Sequence, residues 1–235
     1  MRRVYAPRRD ATRRAAAGTP ATLAAMKRAL LAVVVAAAVL TAVAAAGGKP
    51  SLLRPSTIRG KAPAVFHARF TTTKGVFVVT VHRAWAPRGA DRFYDLVRYH
   101  FYDGQRLFRV IPGFVVQWGI SANAKIAEAW ANANIRDDRV RHTNARGTIV
   151  FADAGPNTRP TQLFVNLANN GANLDRDGFA PFGAVTSGFA TLRKLYHGYG
   201  EAPSNDQAQL TEQGDAFVRK HFPKLDRILR ARIVS

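Results

Sequence analysis

The chain has 235 residues, of which 47% are hydrophobic and 10% aromatic, and it carries a formal net charge of +20 with no cysteine. This length and apolar content fit one globular domain with a sizeable core rather than a disordered chain. The absence of cysteine excludes structural disulfides, thiolate catalysis and a cysteine-linked lipid anchor.

The positive charge is partly a property of the N-terminus. Residues 1–28 contain eight basic side chains against the single acid Asp10, which leaves +13 for the remainder. The basic residues of the remainder are spread singly, mostly as arginine, without interleaved aromatic residues. We interpret them as a soluble basic surface and expect no nucleic-acid partner. Binding to nucleic acid or anionic lipid is the alternative, and it would weaken steeply with added salt.

The N-terminal segment has the pattern of a secretory signal peptide. Lys27 and Arg28 precede an apolar run over 29–46 that ends in three alanines and is followed by two glycines. We predict an N-terminal extension and signal peptide over 1–46, with the biological start at Met26. An uncleaved leader that tethers the protein to a membrane is the alternative.

These signals predict three regions. Residues 1–46 are the leader, residues 47–64 are a linker with scattered prolines and charges, and residues 65–235 are the folded domain. The domain is expected to be exported, either periplasmic or secreted, and monomeric.

The domain begins with β-prone runs. Residues 65–70 and 76–82 predict a hairpin around a turn at 71–75. Residues 88–100 have apolar side chains at helical spacing and predict a helix. Residues 107–117 predict two short strands, interrupted at Pro112 and Gly113.

The second half of the domain predicts further short elements. Residues 120–146 are polar, and 122–134 within them fit either a short helix or an ordered loop. The remaining predictions are strands at 148–152, 163–167, 182–185 and 228–234, a second helix at 191–196, and a third helical turn at 214–221. Many short strands with two principal helices favour a mainly β domain of barrel type with helices covering its ends.

Several common catalytic patterns are missing from the sequence. It has no G-x-S-x-G, no H-E-x-x-H and no glycine-rich phosphate loop. Its six histidines are scattered without metal-ligand spacing, and carboxylates are sparse in the central motifs. An enzyme of this sequence is therefore expected to work without a nucleophile, a metal, a cofactor or an acid–base pair.

Arg109 is the remaining candidate. It lies in the apolar run FRVIPGFVVQ, where strand alternation would place it with Leu107 on one face and Phe108 with Val110 on the other. Its guanidinium stays charged at physiological pH and offers fixed donors. Pairing with a buried acid is the structural alternative, and Asp153, the one acid in the segments 108–117 and 147–166, could provide it.

Three ordered motifs resemble the cyclophilin-type peptidyl-prolyl isomerases. FRVIPGFVVQ is similar to the family's arginine and IPGF segment, GTIVFADAGPNTRPTQLFVN to its second motif, and LDRDGFAPFGAV to its third. The resemblance extends over about 64–234, and it is nearest to short exported bacterial members. It implies a mainly β fold, with a closed eight-stranded antiparallel barrel capped by two helices.

The resemblance also implies site residues. The catalytic set is Arg109 with Gln117 and Gln162, which would orient the arginine and contact the substrate. The substrate-binding set is Phe114, Val115, Ala152, Asp153, Ala154, Phe164, Leu174 and Phe179. Within that set, apolar side chains would line a pocket for the proline ring, and residues 152–154 would present backbone groups to an extended peptide.

The chain departs from many eukaryotic members at three positions. Phe108 replaces a histidine, Asn173 replaces a tryptophan, and Phe179 replaces a later histidine. Because the tryptophan supports cyclosporin binding in the family, sensitivity to cyclosporin is expected to be weak.

The resemblance implies an isomerase whose partners are proline-containing peptides and unfolded exported proteins. A chaperone or scaffold that binds proline segments in the same groove with little turnover is the alternative. The catalytic interpretation requires the guanidinium to face an open apolar groove. A guanidinium turned away from any open groove, or locked onto a carboxylate, would overturn it.

Overall fold

A computed structural model describes residues 49–235 of the chain. The predicted start at Met26 and the signal peptide over 1–46 lie outside these residues. Throughout 49–235, each helix is too short or too polar to span a bilayer.

The described residues form eight strands and seven α-helices. The strands are β1 (Val65–Thr72), β2 (Gly75–His82), β3 (Arg109–Val110), β4 (Val115–Trp118), β5 (Thr148–Phe151), β6 (Leu163–Asn166), β7 (Gly183–Ser187) and β8 (Ile228–Val234). The helices are α1 (Pro87–Arg98), α2 (Ala124–Trp130), α3 (Gly171–Leu174), α4 (Phe189–Arg193), α5 (Ala202–Asn205), α6 (Gln207–Gln213) and α7 (Asp215–His221). One 3₁₀ turn, Pro55–Thr57, precedes them.

All eight strands belong to one antiparallel sheet in the order β3-β4-β6-β5-β7-β2-β1-β8. The prediction of a mainly β antiparallel fold is confirmed, but the prediction of a closed barrel is wrong. Among the described residues, β3 and β8 are the two edges of the sheet. The chain segments that precede them are joined by an isolated bridge between Arg106 and Arg227 and by a few backbone hydrogen bonds beside it, without a continuous ladder. The sheet is therefore open along this edge, because β3 is only two residues long and offers no ladder for β8.

The main core lies on one face of the sheet and follows the two-residue period of its strands. Phe70, Phe77 and Trp118 are fully buried there, and Phe70 and Phe77 stack at 4.9 Å between ring centroids. Helix α1 begins with Pro87 at its first turn, where a missing N–H is harmless. It inserts its apolar stripe into the same core and packs against β8, which explains why the helical spacing predicted it correctly.

The described residues contain more helices than the two capping helices that were predicted. Both helices are present, as α1 and α4, and the helical turn predicted at 214–221 is α7. The undecided segment at 122–134 contains α2, which Asn123 caps by accepting a hydrogen bond from the backbone N–H of Ile126. The additional short helices α5 and α6 lie between α4 and α7, where no helix was predicted.

The described part of the predicted linker is packed onto the domain. Ile58 and Ala62 are buried in the main core. The backbone N–H groups of Gly60 and Ala62 donate to the carboxylates of Asp95 and Asp91 on α1. Residues 58–62 therefore behave as part of the domain and not as a free spacer.

The strand alternation predicted around Arg109 is wrong for both pairs: Leu107 does not share a face with Arg109, and Phe108 does not share one with Val110. Leu107 and Val110 both enter the main core, whereas Phe108 packs in a second cluster with residues of α6 and α7. The reason is that β3 starts only at Arg109, so the residues before it do not follow the period of the strand.

Candidate functional site

One row of side chains crosses four strands on the face opposite the main core. Arg109 pairs with Gln117, Gln117 with Phe164, and Phe164 with Val150, from β3 through β4 and β6 to β5. Directly paired residues of antiparallel strands point to the same face. The register alone therefore brings a cation, an amide and two apolar side chains side by side.

A cavity of about 250 Å³ opens beside this row, and half of the residues that line it are apolar and half are polar or charged. Its floor is a small separate cluster of Val115, Val150, Phe164 and Leu174, and Phe179 meets Phe164 edge to face at 5.5 Å between ring centroids. Nine of the predicted site residues line this cavity: Arg109, Phe114, Val115, Gln117, Ala152, Asp153, Phe164, Leu174 and Phe179.

The other two predicted residues, Ala154 and Gln162, line an adjoining groove of about 380 Å³. Gln117, Ala152 and Asp153 line both spaces, so the cavity and the groove are continuous. The structure therefore brings all eleven predicted residues together, and their individual roles stay predictions.

A chain of amides connects the guanidinium to the groove. Arg109 Nη1 donates to Gln117 Oε1 at 3.2 Å, and Gln117 Nε2 donates to Gln162 Oε1 at 2.9 Å. Gln162 Nε2 donates in turn to Gln207 Oε1 on α6 at 2.7 Å. Since Gln117 is buried, its side chain is fixed by these two partners. The guanidinium also lies over the ring of Phe114, with Cζ 5.3 Å from the ring centroid.

The expectation of a guanidinium without a carboxylate partner is wrong. Arg109 Nε donates to Glu201 Oε2 at 2.7 Å, and Nη2 donates to Glu201 Oε1 at 2.8 Å. The hydrogen bond from Arg109 lowers the pKa of Glu201 below its ordinary value. The pair does not close the site, because Arg109 and Glu201 both lie in the wall of the open cavity.

Asp153 is not the partner of Arg109. Its Oδ1 accepts a hydrogen bond from the backbone N–H of Gly155 at 3.1 Å, and burial raises the pKa of its carboxyl group. The neighbouring backbone N–H groups are also engaged: that of Ala152 donates to the carbonyl of Gln162, and that of Ala154 donates to the hydroxyl of Thr158. Two of the backbone groups predicted to meet a peptide thus have partners within the protein.

Three residues of the cavity wall were missed from the sequence: Glu201, Ser204 and Gln207. They belong to a segment without apolar periodicity, and Glu201 is 92 positions from Arg109 in the chain. A carboxylate after a Gly-Tyr-Gly turn was the local signal, but nothing in it specifies a partner. Among residues 49–235, no group of three or more His, Asp or Glu side chains is arranged to hold a metal ion.

Residues 67–213 match the family model described as cyclophilin type peptidyl-prolyl cis-trans isomerase/CLD. Related proteins are named peptidyl-prolyl cis-trans isomerases. The chain is 35% identical to peptidyl-prolyl cis-trans isomerase A of Dickeya dadantii, over 55% of this chain and 70% of the relative. It is 31% identical to peptidyl-prolyl cis-trans isomerase ppi1 of Schizosaccharomyces pombe, over 53% of this chain and 81% of the relative.

Solved structures share the fold. A cyclophilin type peptidyl-prolyl cis-trans isomerase of Cryptosporidium parvum superposes with a TM-score of 0.53 at 18% identity, covering 73% of this chain and 98% of that one. A second structure of the same protein, in the presence of the dipeptide Ala-Pro, gives a TM-score of 0.52 at 18% identity and covers 72% of this chain and 99% of that one. The relatives include fungal, bacterial and plant proteins, so they do not single out the short exported bacterial members.

Proposed function

Because the chain belongs to the cyclophilin-type peptidyl-prolyl cis-trans isomerase family and is an isomerase of that type, we propose that it acts on proline-containing segments of unfolded exported proteins. The observation that carries this proposal is the guanidinium of Arg109 at the edge of an open cavity with an apolar floor.

The reaction is rotation about the peptide bond that precedes proline. Amide resonance sets its barrier at about 18–20 kcal/mol. In the twisted transition state the nitrogen lone pair is no longer shared with the carbonyl, so the nitrogen accepts a hydrogen bond that it could not accept in the planar ground state. A donor aimed at this nitrogen therefore stabilises the transition state selectively.

Arg109 is suited to be this donor. A guanidinium has five N–H groups, and the contacts with Glu201 and Gln117 use three of them among the described residues. One N–H on each terminal nitrogen is left for a substrate. A hydrogen bond from a charged donor contributes about 1.5–3 kcal/mol, which is roughly ten- to one-hundredfold in rate.

The apolar cavity gives the proline ring its place. Val115, Phe164 and Leu174 form a floor without charged groups, and Phe179 forms a wall beside it. When the ring is held there and the rest of the peptide turns, the binding contacts orient the peptide bond that rotates. Proline is the expected specificity determinant, because only its tertiary amide populates the cis form appreciably.

Export is the setting that the N-terminal pattern supports. Lys27 and Arg28 before the apolar run at 29–46 favour passage across a membrane, and slow proline isomerisation limits the folding of proteins after such passage. We place the enzyme in the periplasm or outside the cell, as a monomer, with membrane attachment only through a retained leader.

A protease-coupled assay on a proline tetrapeptide tests the mechanism. Replacing Arg109 by alanine is expected to lower kcat/KM at least tenfold, whereas Arg193→Ala, at an exposed position on α4, should leave it unchanged. Chemical-shift titration with the same peptide measures its binding, and comparison with the isomerisation rate distinguishes a catalyst from a protein that only binds. Full activity in Arg109→Ala would refute the role of the guanidinium.

N-terminal sequencing of protein recovered from an expressing bacterium tests the setting. A mature N-terminus close to residue 47 in an exported fraction is expected. Protein that keeps residues 29–46 and fractionates with membranes would favour the tether, and protein confined to the cytoplasm would contradict export.

A further inference from the structure

Residues between α4 and β8 form a small helical cap beside Arg109. The cap has its own apolar core, to which Phe108 of the main domain contributes. The core comprises Phe108, Leu210, Phe217, Val218, Phe222 and Leu225. The cap is therefore anchored on the residue that directly precedes the catalytic arginine.

An ion pair two residues earlier in the chain reinforces this anchoring. Arg106 Nε donates to Asp215 Oδ1 of α7 at 2.7 Å, and Arg106 Nη1 donates to the carbonyl of Leu225 at 2.9 Å. Both side chains of the pair are largely buried. Because residues 106, 108 and 109 all contact the cap, its position and that of the guanidinium are coupled.

Glu201 is the residue through which the cap reaches the site. Its carboxylate meets Nε and Nη2 of Arg109 in a two-point contact, the geometry in which a guanidinium and a carboxylate fit best. The single hydroxyl hydrogen of Ser204 is shared between the carbonyl of Glu201, at 2.7 Å, and Glu201 Oε2, at 2.9 Å. The carboxylate is thus itself held in place before it holds the arginine.

We propose that Glu201 is a positioning residue for catalysis: it fixes the plane of the Arg109 guanidinium at the rim of the proline cavity and so raises the rate of isomerisation. This inference rests on the isomerase activity of the site. An arginine side chain is long and has many rotamers, so a donor that must meet a short-lived nitrogen lone pair gains from being held in advance. With Gln117 on Nη1 and Glu201 on Nε and Nη2, every nitrogen of the group has a partner.

The open cavity favours positioning over inhibition. Glu201 lies in the wall of the 250 Å³ space and not across it, and half of its side chain is exposed. A substrate ring can therefore enter without displacing the carboxylate. If Glu201 instead competed with the substrate for the guanidinium, its removal would raise the rate. The two roles therefore predict opposite changes in rate when Glu201 is replaced.

Glu201→Gln in the full chain is the primary test, with Glu212→Gln on an exposed part of α6 as the matched control. The glutamine keeps the size of the side chain but loses its charge and one acceptor. We expect kcat of Glu201→Gln to fall about tenfold and its KM to change less than twofold. Its melting temperature should equal that of Glu212→Gln. An unchanged or increased kcat would overturn the proposal.

Two further measurements exclude a merely structural effect. In an Arg109→Ala background, Glu201→Gln should cause no additional loss, since the positioned group is gone; a further loss of similar size would mean that Glu201 supports the fold of the cap instead. In ¹⁵N spectra, the Arg109 Nε–H signal should be protected from exchange in the wild type and lose protection in Glu201→Gln. An inactive wild type would refute the isomerase assignment together with this inference, whereas an active wild type with an unaffected Glu201→Gln variant would refute the inference alone.

Discussion

The backbone of Gly119, just after β4, lies directly against the backbone of Gln162, just before β6. A Cβ atom on Gly119 would collide with the Cα atom of Gln162 and would stand 2.6 Å from the carbonyl oxygen of Thr161. Gly119 also has a φ of +124°, which side chains other than glycine rarely adopt. Glycine at this position thus sets how closely Gln162 approaches Gln117.

Gly119→Ala is expected to impair both stability and activity. Backbone strain of about 1–3 kcal/mol adds to a clash with main-chain atoms that cannot rotate away. Urea unfolding should show the loss of stability, and kcat/KM should fall because Gln162 is displaced. Gly104→Ala is the control, since Gly104 also has a positive φ but would place its Cβ at an ordinary 3.6 Å from Ala122. Equal effects of the two substitutions would contradict a role for the close approach.

Gln117→Leu should reduce catalysis by breaking the amide chain in its middle. The substitution removes the acceptor for Arg109 Nη1 and the donor to Gln162, while an apolar side chain of similar size keeps the buried volume. We expect about a tenfold loss of kcat/KM, equivalent to about 1.4 kcal/mol. The peptide assay measures it, with Gln213→Leu at an exposed position on α6 as the control. A wild-type rate would mean that Glu201 alone suffices to hold the arginine.

Phe179→Ala should weaken substrate binding more than it slows turnover. The ring forms a wall of the proline cavity and an edge-to-face contact with Phe164, worth about 0.5–1.5 kcal/mol. KM is expected to rise about two- to tenfold with a smaller change in kcat. Phe189→Ala is a matched control, because Phe189 is similarly half-buried but packs on the main core away from the cavity. A large fall in kcat with unchanged KM would contradict a purely binding role.

Acid should break the Arg109–Glu201 pair at a pH below the ordinary Glu pKa of 4.5. The hydrogen bond from Arg109 lowers the pKa of Glu201 in the folded state. The stabilisation that the ion pair gives to the folded site is therefore complete above the unfolded-state pKa of Glu201. It is lost as the pH falls through the folded-state value. As far as Glu201 determines it, kcat should be constant from neutrality to about pH 5 and should decline below pH 4.5.

Asp153 is the other carboxyl group on the cavity wall, and it must be separated from Glu201 in this profile. Burial raises its pKa, so it takes up its proton before Glu201 as the pH falls. An Asp153→Asn variant should keep the lower decline, and Glu201→Gln should abolish it. A decline that survives in Glu201→Gln would assign it to another group.

Much of the fold follows from local sequence patterns. The hairpin of β1 and β2, helix α1 and strand β8 are confirmed, because their apolar residues recur at the period of the element and their ends carry turn residues or proline. The open edge could not be predicted in this way. It depends on where β3 stops pairing, and a two-residue strand has no periodicity to detect.

The apolar part of the site was also accessible from the sequence, since its residues lie in three compact motifs. The carboxylate of Glu201 was not. It reaches Arg109 only because Phe108 and Arg106 anchor the cap, and such a contact depends on tertiary packing between distant segments. Asp153, the acid in the second motif, was the candidate predicted from the sequence, and it accepts a hydrogen bond from its own turn instead.

The 92-residue separation between Arg109 and Glu201 has a consequence for how the enzyme matures. During synthesis, the strands that carry the arginine leave the ribosome long before the acid that pairs with it. Long-range contacts of this kind form late and slowly. A chain that folds as it emerges thus acquires its apolar slot before its aligned cation, so a catalyst of other proteins' folding depends on a long-range step of its own.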